Sequence, residues 1–361
     1  MKKIKILHIS ETFASGVYTY IKNVCNFLES DNRFEVYIVY STVRKENESE
    51  EVIKREFPND VRFIPISLSR EISIKSDFKG LISIRKIIKE INPNIVHLHS
   101  SKAGILGRMA CIGLNQTQVL YTPHGYSFIR EDLSKTKKSI FYNIEKYITK
   151  IFKGTIVACG DSEYEIGRQF TDDVLLVRNG IKLRSLNVIV KQVNERSKIG
   201  TCGRIHLQKD PYLFNEIAKS LPECDFIWIG DGELKELLTS SNIIITGWKT
   251  NEEVMTLVNE LDVFISTSLW EGLPFNIIEA MALGKPIVSN DIDGNRITIE
   301  NGENGYLCSS NEEFVQAIHK SLENKEKYGV ASEQRVNRLF DLDKNLEELK
   351  KIYLKVGDNL N

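Results

Sequence analysis

Hydrophobic positions fall into short apolar runs separated by stretches of helical spacing. Ile4-Lys5-Ile6-Leu7-His8-Ile9 reads as a buried strand, Ser10 to Gly16 as a polar turn, and Tyr18–Leu28 as a helix. The rhythm continues with strands at 35–40, 95–99, 119–122, 155–159 and 174–177, and helices at 77–90, 104–112, 135–152 and 162–169. Residues 181–197 are polar and mixed and lose the pattern. It restarts with strands at 198–202, 225–229, 243–246, 263–266 and 286–289. Helices are expected there at 212–220, 234–239, 251–257, 277–283, 312–323 and 343–356. Strands joined through helices run parallel, because a parallel pair needs a long crossover.

The pattern predicts an α/β protein of two successive doubly wound halves. The first spans 1–180, a linker 181–198, the second 199–341, and a last helix 342–361. Such sheets take ligands at the carboxyl ends of their strands. The 361 residues are 42% hydrophobic and 27% charged, which excludes a disordered or collagen-like chain. A net charge of −1 conceals +6 over residues 1–180 and −7 over 181–361. Neither half is basic enough to make nucleic acid the main ligand. Six cysteines form no C-x-x-C pair and sit mostly in apolar runs, which predicts reduced core thiols in a cytoplasm. The opening MKKIKILHIS does not read as a signal peptide, and no apolar run reaches the roughly 18 residues of a membrane span.

Four strand ends carry candidate chemistry. Glu271 and Glu279 bracket Gly272-Leu273-Pro274-Phe275-Asn276-Ile277-Ile278, where a turn leads into a helix whose free N–H groups suit an anion. Glu279 lies among apolar neighbours and needs a partner. After the strand at 198–202, Gly203 permits close backbone approach, while Arg204 and Lys209 suit a diphosphate. Gly230-Asp231-Gly232 ends another strand, where a plain tight turn explains it equally well. Thr122-Pro123-His124-Gly125 ends a strand of the first half and places one histidine there.

Taken together, these blocks resemble retaining glycosyltransferase family 4, of the kind that acts in bacterial capsule, exopolysaccharide and O-antigen assembly. The resemblance rests on Glu271 through Glu279 and on to Val288, on Gly203-Arg204 with Lys209, and on Gly230–Leu234, Thr246-Gly247-Trp248 and Asn301–Leu307. It implies a GT-B fold of two Rossmann-like domains, with the last helix crossing back to the first. It also implies roles. Arg204 and Lys209 neutralise the donor diphosphate and stabilise it as it leaves. Glu279 accepts from the ribose hydroxyls, and Glu271 sits at the donor sugar, at its 3-hydroxyl. Backbone N–H groups of Gly272, Leu273, Pro274-flanked Phe275 and their neighbours hold sugar and phosphate. Trp248 flanks the base, Gly16 lies near the diphosphate, and His124 approaches the sugar as the domains close.

The implied reaction moves a sugar from a nucleotide-diphosphate donor to a hydroxyl with its α linkage kept. The expected donor is a UDP-sugar, such as a UDP-N-acetylhexosamine, the expected acceptor an undecaprenyl-diphosphate-linked saccharide, and no metal is expected. The N-terminal loop departs from the family, with Ser15-Gly16 where two glycines are usual. The stretch Asp291-Ile292-Asp293-Gly294-Asn295-Arg296 is more polar than usual, and its D-x-D is not read as a metal site. Metal binding by His97 and His99 is likewise not favoured. Residues Lys135–Lys153 form a basic amphipathic segment, either an ordinary helix with a solvated side or a dock for anionic lipid at the inner face of the membrane. A UDP-sugar 2-epimerase and a non-catalytic binding subunit share the expected fold and stand as alternatives.

Overall fold

A computed structural model describes residues 3–43, 50–68, 73–130, 133–182, 196–272 and 274–358. The chain forms two compact units. Unit 1 runs to Arg178 and resumes at Asp343, and unit 2 is Asn179–Leu342.

Unit 1 holds strands β1 (Ile4–Ser10), β2 (Phe34–Ser41), β3 (Arg62–Ile66), β4 (Ile95–His99), β5 (Gln118–Thr122), β6 (Thr155–Ala158) and β7 (Val174–Leu176). They make one parallel sheet ordered β3-β2-β1-β4-β5-β6-β7. Unit 2 holds β8 (Lys198–Cys202), β9 (Asp225–Ile229), β10 (Ile243–Ile245), β11 (Val263–Ser266), β12 (Ile287–Asn290) and β13 (Gly305–Cys308), ordered β10-β9-β8-β11-β12-β13. In each sheet the winding reverses at one pair of neighbours, β1 with β4 and β8 with β11. The loops that leave those strands diverge there and open a crevice at their carboxyl ends.

The central strands are buried on both faces along most of their length, so they read as runs rich in apolar residues. Ile6, Leu7, Ile9, Val96 and Leu98 are fully buried in unit 1, as are Ile199, Phe226, Trp228, Phe264 and Ile265 in unit 2. The helix Pro211–Ser220 starts on an Asp210 side chain that accepts from Leu213 N–H, with proline in the first turn. The helix Asn251–Glu260 starts on a Thr250/Glu253 capping box. The last helix, Leu342–Asp358, packs on unit 1, where Lys350 pairs with Asp31 at 3.0 Å and Tyr353 lies fully buried.

Several elements differ from the sequence expectation. Gly16 is not in the turn after β1, because the helix begins at Ser15 and takes Gly16 into its first turn. Residues 234–239 are not an α-helix. Only a single 3-10 turn forms at Lys235–Leu237, ended where Asn215 Oδ1 accepts from the N–H groups of Thr239 and Ser240. Strand β3 escaped notice because Pro65 interrupts it, and it is an edge strand, where proline is tolerated. The helix Lys325–Leu339 has no apolar stripe to read. Its buried face is Tyr328, Gly329, Ser332 and Val336, and a Cβ on Gly329 would lie 2.3 Å from the Gly284 carbonyl oxygen. Most of the expected linker lies outside the described residues.

Candidate active site

In unit 2 the crevice lies between the loop after β8 and the loop after β11. Gly203 follows β8 at φ +137°, Gly230 follows β9 at φ +144°, and a Cβ on Gly230 would lie 2.2 Å from the Gly203 carbonyl oxygen. The two turns therefore lie backbone against backbone, and only glycine permits it. Trp228 Nε1 donates to that same Gly203 oxygen at 2.9 Å and fixes the turn from beneath.

Lys209 lies at the end of a short 3-10 turn over 207–209, stitched to the opposite loop. Thr267 Oγ1 donates to Lys209 O at 2.6 Å, Leu269 N–H to Gln208 O at 2.8 Å, and Gln208 Nε2 to Trp270 O at 2.8 Å. This brings Lys209 Nζ to 2.7 Å from Glu271 Oε1, with both side chains largely out of solvent. Such a pair is held against little water competition. Glu271 is also set by its far side, since a Cβ on Gly294 would meet its carbonyl oxygen at 2.4 Å. Arg204 is exposed and turned to Glu233, its Nε 3.1 Å from Oε2.

The helix Phe275–Ala282 starts at Pro274 with no side-chain cap. Of its first N–H groups, that of Ile277 donates to Asn276 Oδ1 at 3.0 Å, which leaves those of Phe275 and Asn276 to carry the partial positive charge of the helix start. Gly272, Pro274 and Phe275 lie at this start, and Leu273 lies outside the described residues. Asn276 Nδ2 donates to Cys202 O at 3.0 Å, tying the helix to the end of β8. Glu279 lies in the second turn, without a hydrogen-bond partner among the described residues. Desolvation pushes its pKa up to about 7. A carboxyl group so placed can accept hydrogen bonds from hydroxyl groups brought against it. Trp248, beyond β10, is exposed and is not brought to the Lys209–Glu271 pair, although Gly230 N–H donates to Thr246 Oγ1 in the same turn.

Asp291 and Asp293 do not face each other as a D-x-D. Both pair with Arg296, at 2.7 and 2.6 Å.

In unit 1, His124 follows β5 at φ +54°, a left-handed conformation uncommon outside glycine. The next N–H, of Gly125, donates to the buried carboxylate of Glu163, which also accepts from Cys159 N–H at 3.0 Å. His99 Nδ1 lies 3.0 Å from His124 Nε2, and His8 Nδ1 lies 2.9 Å from His99 Nε2. His97 bonds Tyr353 Oη at 2.7 Å and Thr122 Oγ1 at 2.9 Å. His8, His97 and His99 offer nitrogens within 4.8 Å of one another. Of their six ring nitrogens all but His8 Nε2 already have partners, which makes the group a hydrogen-bonded cluster first. Burial holds all four rings neutral, with His8 and His124 pushed down to about 3.

The helix Lys135–Ile151 turns a polar face inward. Its polar Glu145 and Thr149 face inward, bonded to Tyr121 Oη at 3.0 Å and Arg108 Nη1 at 3.0 Å. Its apolar Ile140, Ile144, Tyr147 and Ile148 line an outward groove. Ile140, Tyr147 and Ile151 are 51%, 58% and 68% exposed, so the helix is not the ordinary core-facing kind. Among the described residues no helix is long and apolar enough to cross a membrane.

Two Rossmann-like parallel sheets, each with its crevice at a reversal of strand order, define the GT-B class of glycosyltransferase folds. The solved structures agree. A sucrose-phosphate synthase from Thermosynechococcus elongatus superposes with a TM-score of 0.83 at 15% identity, covering 99% of this chain and 100% of that one. Anabaena HepE, solved with UDP and glucose, superposes with a TM-score of 0.76 at 16% identity over 98% and 100%. The family described as glycosyl transferases group 1 matches residues 196–324, and that described as glycosyl transferase 4-like matches residues 5–159. The chain belongs to these group 1, type 4-like glycosyltransferases. Among curated relatives, an Escherichia coli UDP-Gal:alpha-D-GlcNAc-diphosphoundecaprenol alpha-1,3-galactosyltransferase is 29% identical over 330 residues, 82% of this chain and 84% of its own.

Sequence reading singled out Glu271, Glu279, Lys209, Arg204 and His124, but missed what holds them. Glu233, Asn276, Thr267, Glu163 and the His8–His99 link came only with the structure. For His99 and His8 a signal existed: three histidines on two strands that are buried throughout.

Proposed function

We propose that the protein is a retaining glycosyltransferase. It moves a sugar from a UDP-linked donor, without a metal, to a hydroxyl of an undecaprenyl-diphosphate-linked saccharide in surface polysaccharide assembly. The observation that carries the donor side is the Lys209–Glu271 pair beside the uncapped helix at Phe275, with Glu279 unpartnered one turn further on. Lys209 and the helix N–H groups offer positive charge to a diphosphate, and Arg204 adds an exposed guanidinium. Glu279 offers an acceptor to the ribose hydroxyls, and Glu271 to a sugar hydroxyl. His124 is the unit 1 group assigned to the donor sugar. No side chain serves as a covalent nucleophile. A donor phosphate oxygen takes the acceptor proton while the diphosphate departs.

The E. coli relative's name specifies a UDP-galactose donor and a lipid-diphosphate acceptor, which favours a UDP-hexose as the first donor to try, with UDP-N-acetylhexosamines beside it. The outward groove of the helix Lys135–Ile151, with Lys135, Lys137 and Lys138 at its start, suits an anionic membrane surface that presents such an acceptor. The test is incubation with each UDP-sugar and GlcNAc-diphosphoundecaprenol in EDTA, with mass spectrometry of the lipid and NMR of the new anomeric centre. An added hexose in α linkage supports the reading. A β linkage, or conversion of the UDP-sugar without acceptor, contradicts it.

A further inference from the structure

The histidine cluster of unit 1 is larger than a sugar contact requires. His8 on β1 and His97 and His99 on β4 are fully buried on one face of the sheet, where β1 and β4 pair with His8 in register with His97. Tyr20 of the helix Ser15–Leu28 and Tyr353 of the last helix lie against them, with ring centroids 5.7 Å from His99 and 6.0 Å from His97. Burying this much imidazole is costly unless its bonding is specific.

We propose that His99 and His8 are positioning residues that hold His124 in one neutral tautomer, its Nε2 accepting from His99 and its Nδ1–H offered to a substrate oxygen. This rests on the reading of His124 as the group at the donor sugar.

The bonding leaves few choices. A neutral imidazole has one donor and one acceptor nitrogen. In the chain His8–His99–His124 the bonds run Nδ1 to Nε2 twice, so only two arrangements are consistent. If the protons point towards His8, its buried Nε2 carries a hydrogen with no acceptor. If they point towards His124, His8 Nε2 is a bare lone pair. Buried orphan N–H groups are rarer than under-satisfied acceptors, so the second arrangement prevails. It leaves His124 Nδ1 as the donor end, and that nitrogen has no partner among the described residues. Among the described residues the chain of bonds ends at His8 Nε2, so it acts as a lock on the tautomer of His124.

The surroundings fix the rest. His97 packs at a tilt against His99, 4.4 Å between ring centroids, and is itself tied to Thr122 and Tyr353. Tyr20 packs edge-on at 4.9 Å from His124. Glu163 holds the Gly125 N–H and with it the left-handed backbone at His124, a conformation that persists only when its neighbours enforce it. Both the backbone and the ring of His124 are thus clamped, by different elements.

Long-range proton–nitrogen spectra of the full-length protein labelled with 15N-histidine test this without substrate. His124, assigned by its loss in His124→Gln, is expected to carry its proton on Nδ1 from about pH 5 to about pH 8. In His99→Leu it is expected to become a mixture of tautomers, with kcat down about tenfold or more and the donor KM within about twofold. In His99→Asn, whose Nδ2 takes the place of imidazole Nδ1, tautomer and kcat are expected to return. A wild-type His124 protonated on Nε2 overturns the proposal, and that spectrum needs no variant to fold. So does a folded His99→Leu protein with unchanged tautomer or unchanged kcat. A His124→Ala enzyme with wild-type turnover overturns instead the assignment of His124 to the sugar, and leaves the tautomer result standing.

Discussion

Lys209 and Glu271 come from loops 62 positions apart and meet at 2.7 Å, each with at most 15% of its side chain exposed. Glu271 lies just before Pro274, at which the helix Phe275–Ala282 begins without a side-chain cap. A diphosphate arriving there meets a cation already placed by the Thr267 and Gln208 contacts rather than one that must be ordered on binding.

Lys209→Ala is accordingly expected to fold and to lose at least about 100-fold in kcat/KM, about 3 kcal/mol of transition-state stabilisation. Lys209→Arg is expected to recover only part, because the planar guanidinium cannot reproduce a point charge at this distance from Glu271. Steady-state kinetics with circular dichroism as the folding control decide it, and wild-type kinetics in Lys209→Ala would remove Lys209 from the site.

Glu279 gives a prediction of opposite signs. Its folded pKa is raised to about 7 by desolvation, against about 4.5 when unfolded, so the folded state holds the proton more tightly. The neutral group leaves stability undisturbed below about pH 4.5, and the penalty grows as pH rises to about 7 and is then complete. At 1.36 kcal/mol per unit, that penalty is at most about 3 kcal/mol. Glu279→Gln is therefore expected to raise the melting temperature at pH 8, to change it little at pH 4, and to weaken nucleotide binding. Thermal denaturation at both pH values checks the first two, and a lower melting temperature at pH 8 would contradict the assignment.

The same group sets a pH dependence on binding. Donor affinity is expected to rise with pH through about 7 in the wild type, as Glu279 becomes the acceptor that the ribose hydroxyls need. A UDP-sugar is the right probe, because its diphosphate does not titrate in this range. Glu279→Gln is expected to give a flat profile, and parallel profiles in the two proteins would assign the titration elsewhere.

Gly230→Ala is expected to destabilise unit 2 by about 2 kcal/mol or more, since the new Cβ would meet the Gly203 carbonyl oxygen at 2.2 Å and the backbone sits at φ +144°. Chemical denaturation reads it directly. A neutral effect would mean that the Gly203 and Gly230 turns do not pack as described.

At the outward groove, the protein is expected to sediment with vesicles containing anionic lipid and not with neutral ones. Ile140→Asp with Tyr147→Asp, both exposed and outside the donor crevice, is expected to abolish this with the fold intact. Equal binding to both vesicle types, or to neither, would remove the membrane from the account.

Both parallel sheets were legible in the sequence because β1, β4, β8, β9 and β11 are largely buried and so leave runs rich in apolar residues, interrupted by few polar positions such as Lys5, His8, His97 and His99. The edges were less legible. Pro65 breaks the run of β3, and β13 is only Gly305-Tyr306-Leu307-Cys308, placed by a Gly305 whose Cβ would collide with the Ile287 carbonyl. The site residues announced themselves by type and spacing, as with Glu271 and Glu279. Their partners did not, because Asn276 reaching Cys202 O or Glu163 reaching Gly125 N–H is a fact of tertiary approach, with 74 and 38 positions between donor and acceptor. For the helix Lys135–Ile151 the sequence left both orientations open. Periodicity shows that apolar positions share a face, and does not show which way the face looks.

The most direct test of the central claim is calorimetric titration of the purified protein with UDP, GDP and ADP in EDTA, repeated on Lys209→Ala and Glu279→Gln. Binding selective for UDP is expected in the wild type, weakened about tenfold or more in each variant. Well-folded protein that binds no nucleotide, or that binds UDP equally well in all three forms, would contradict it.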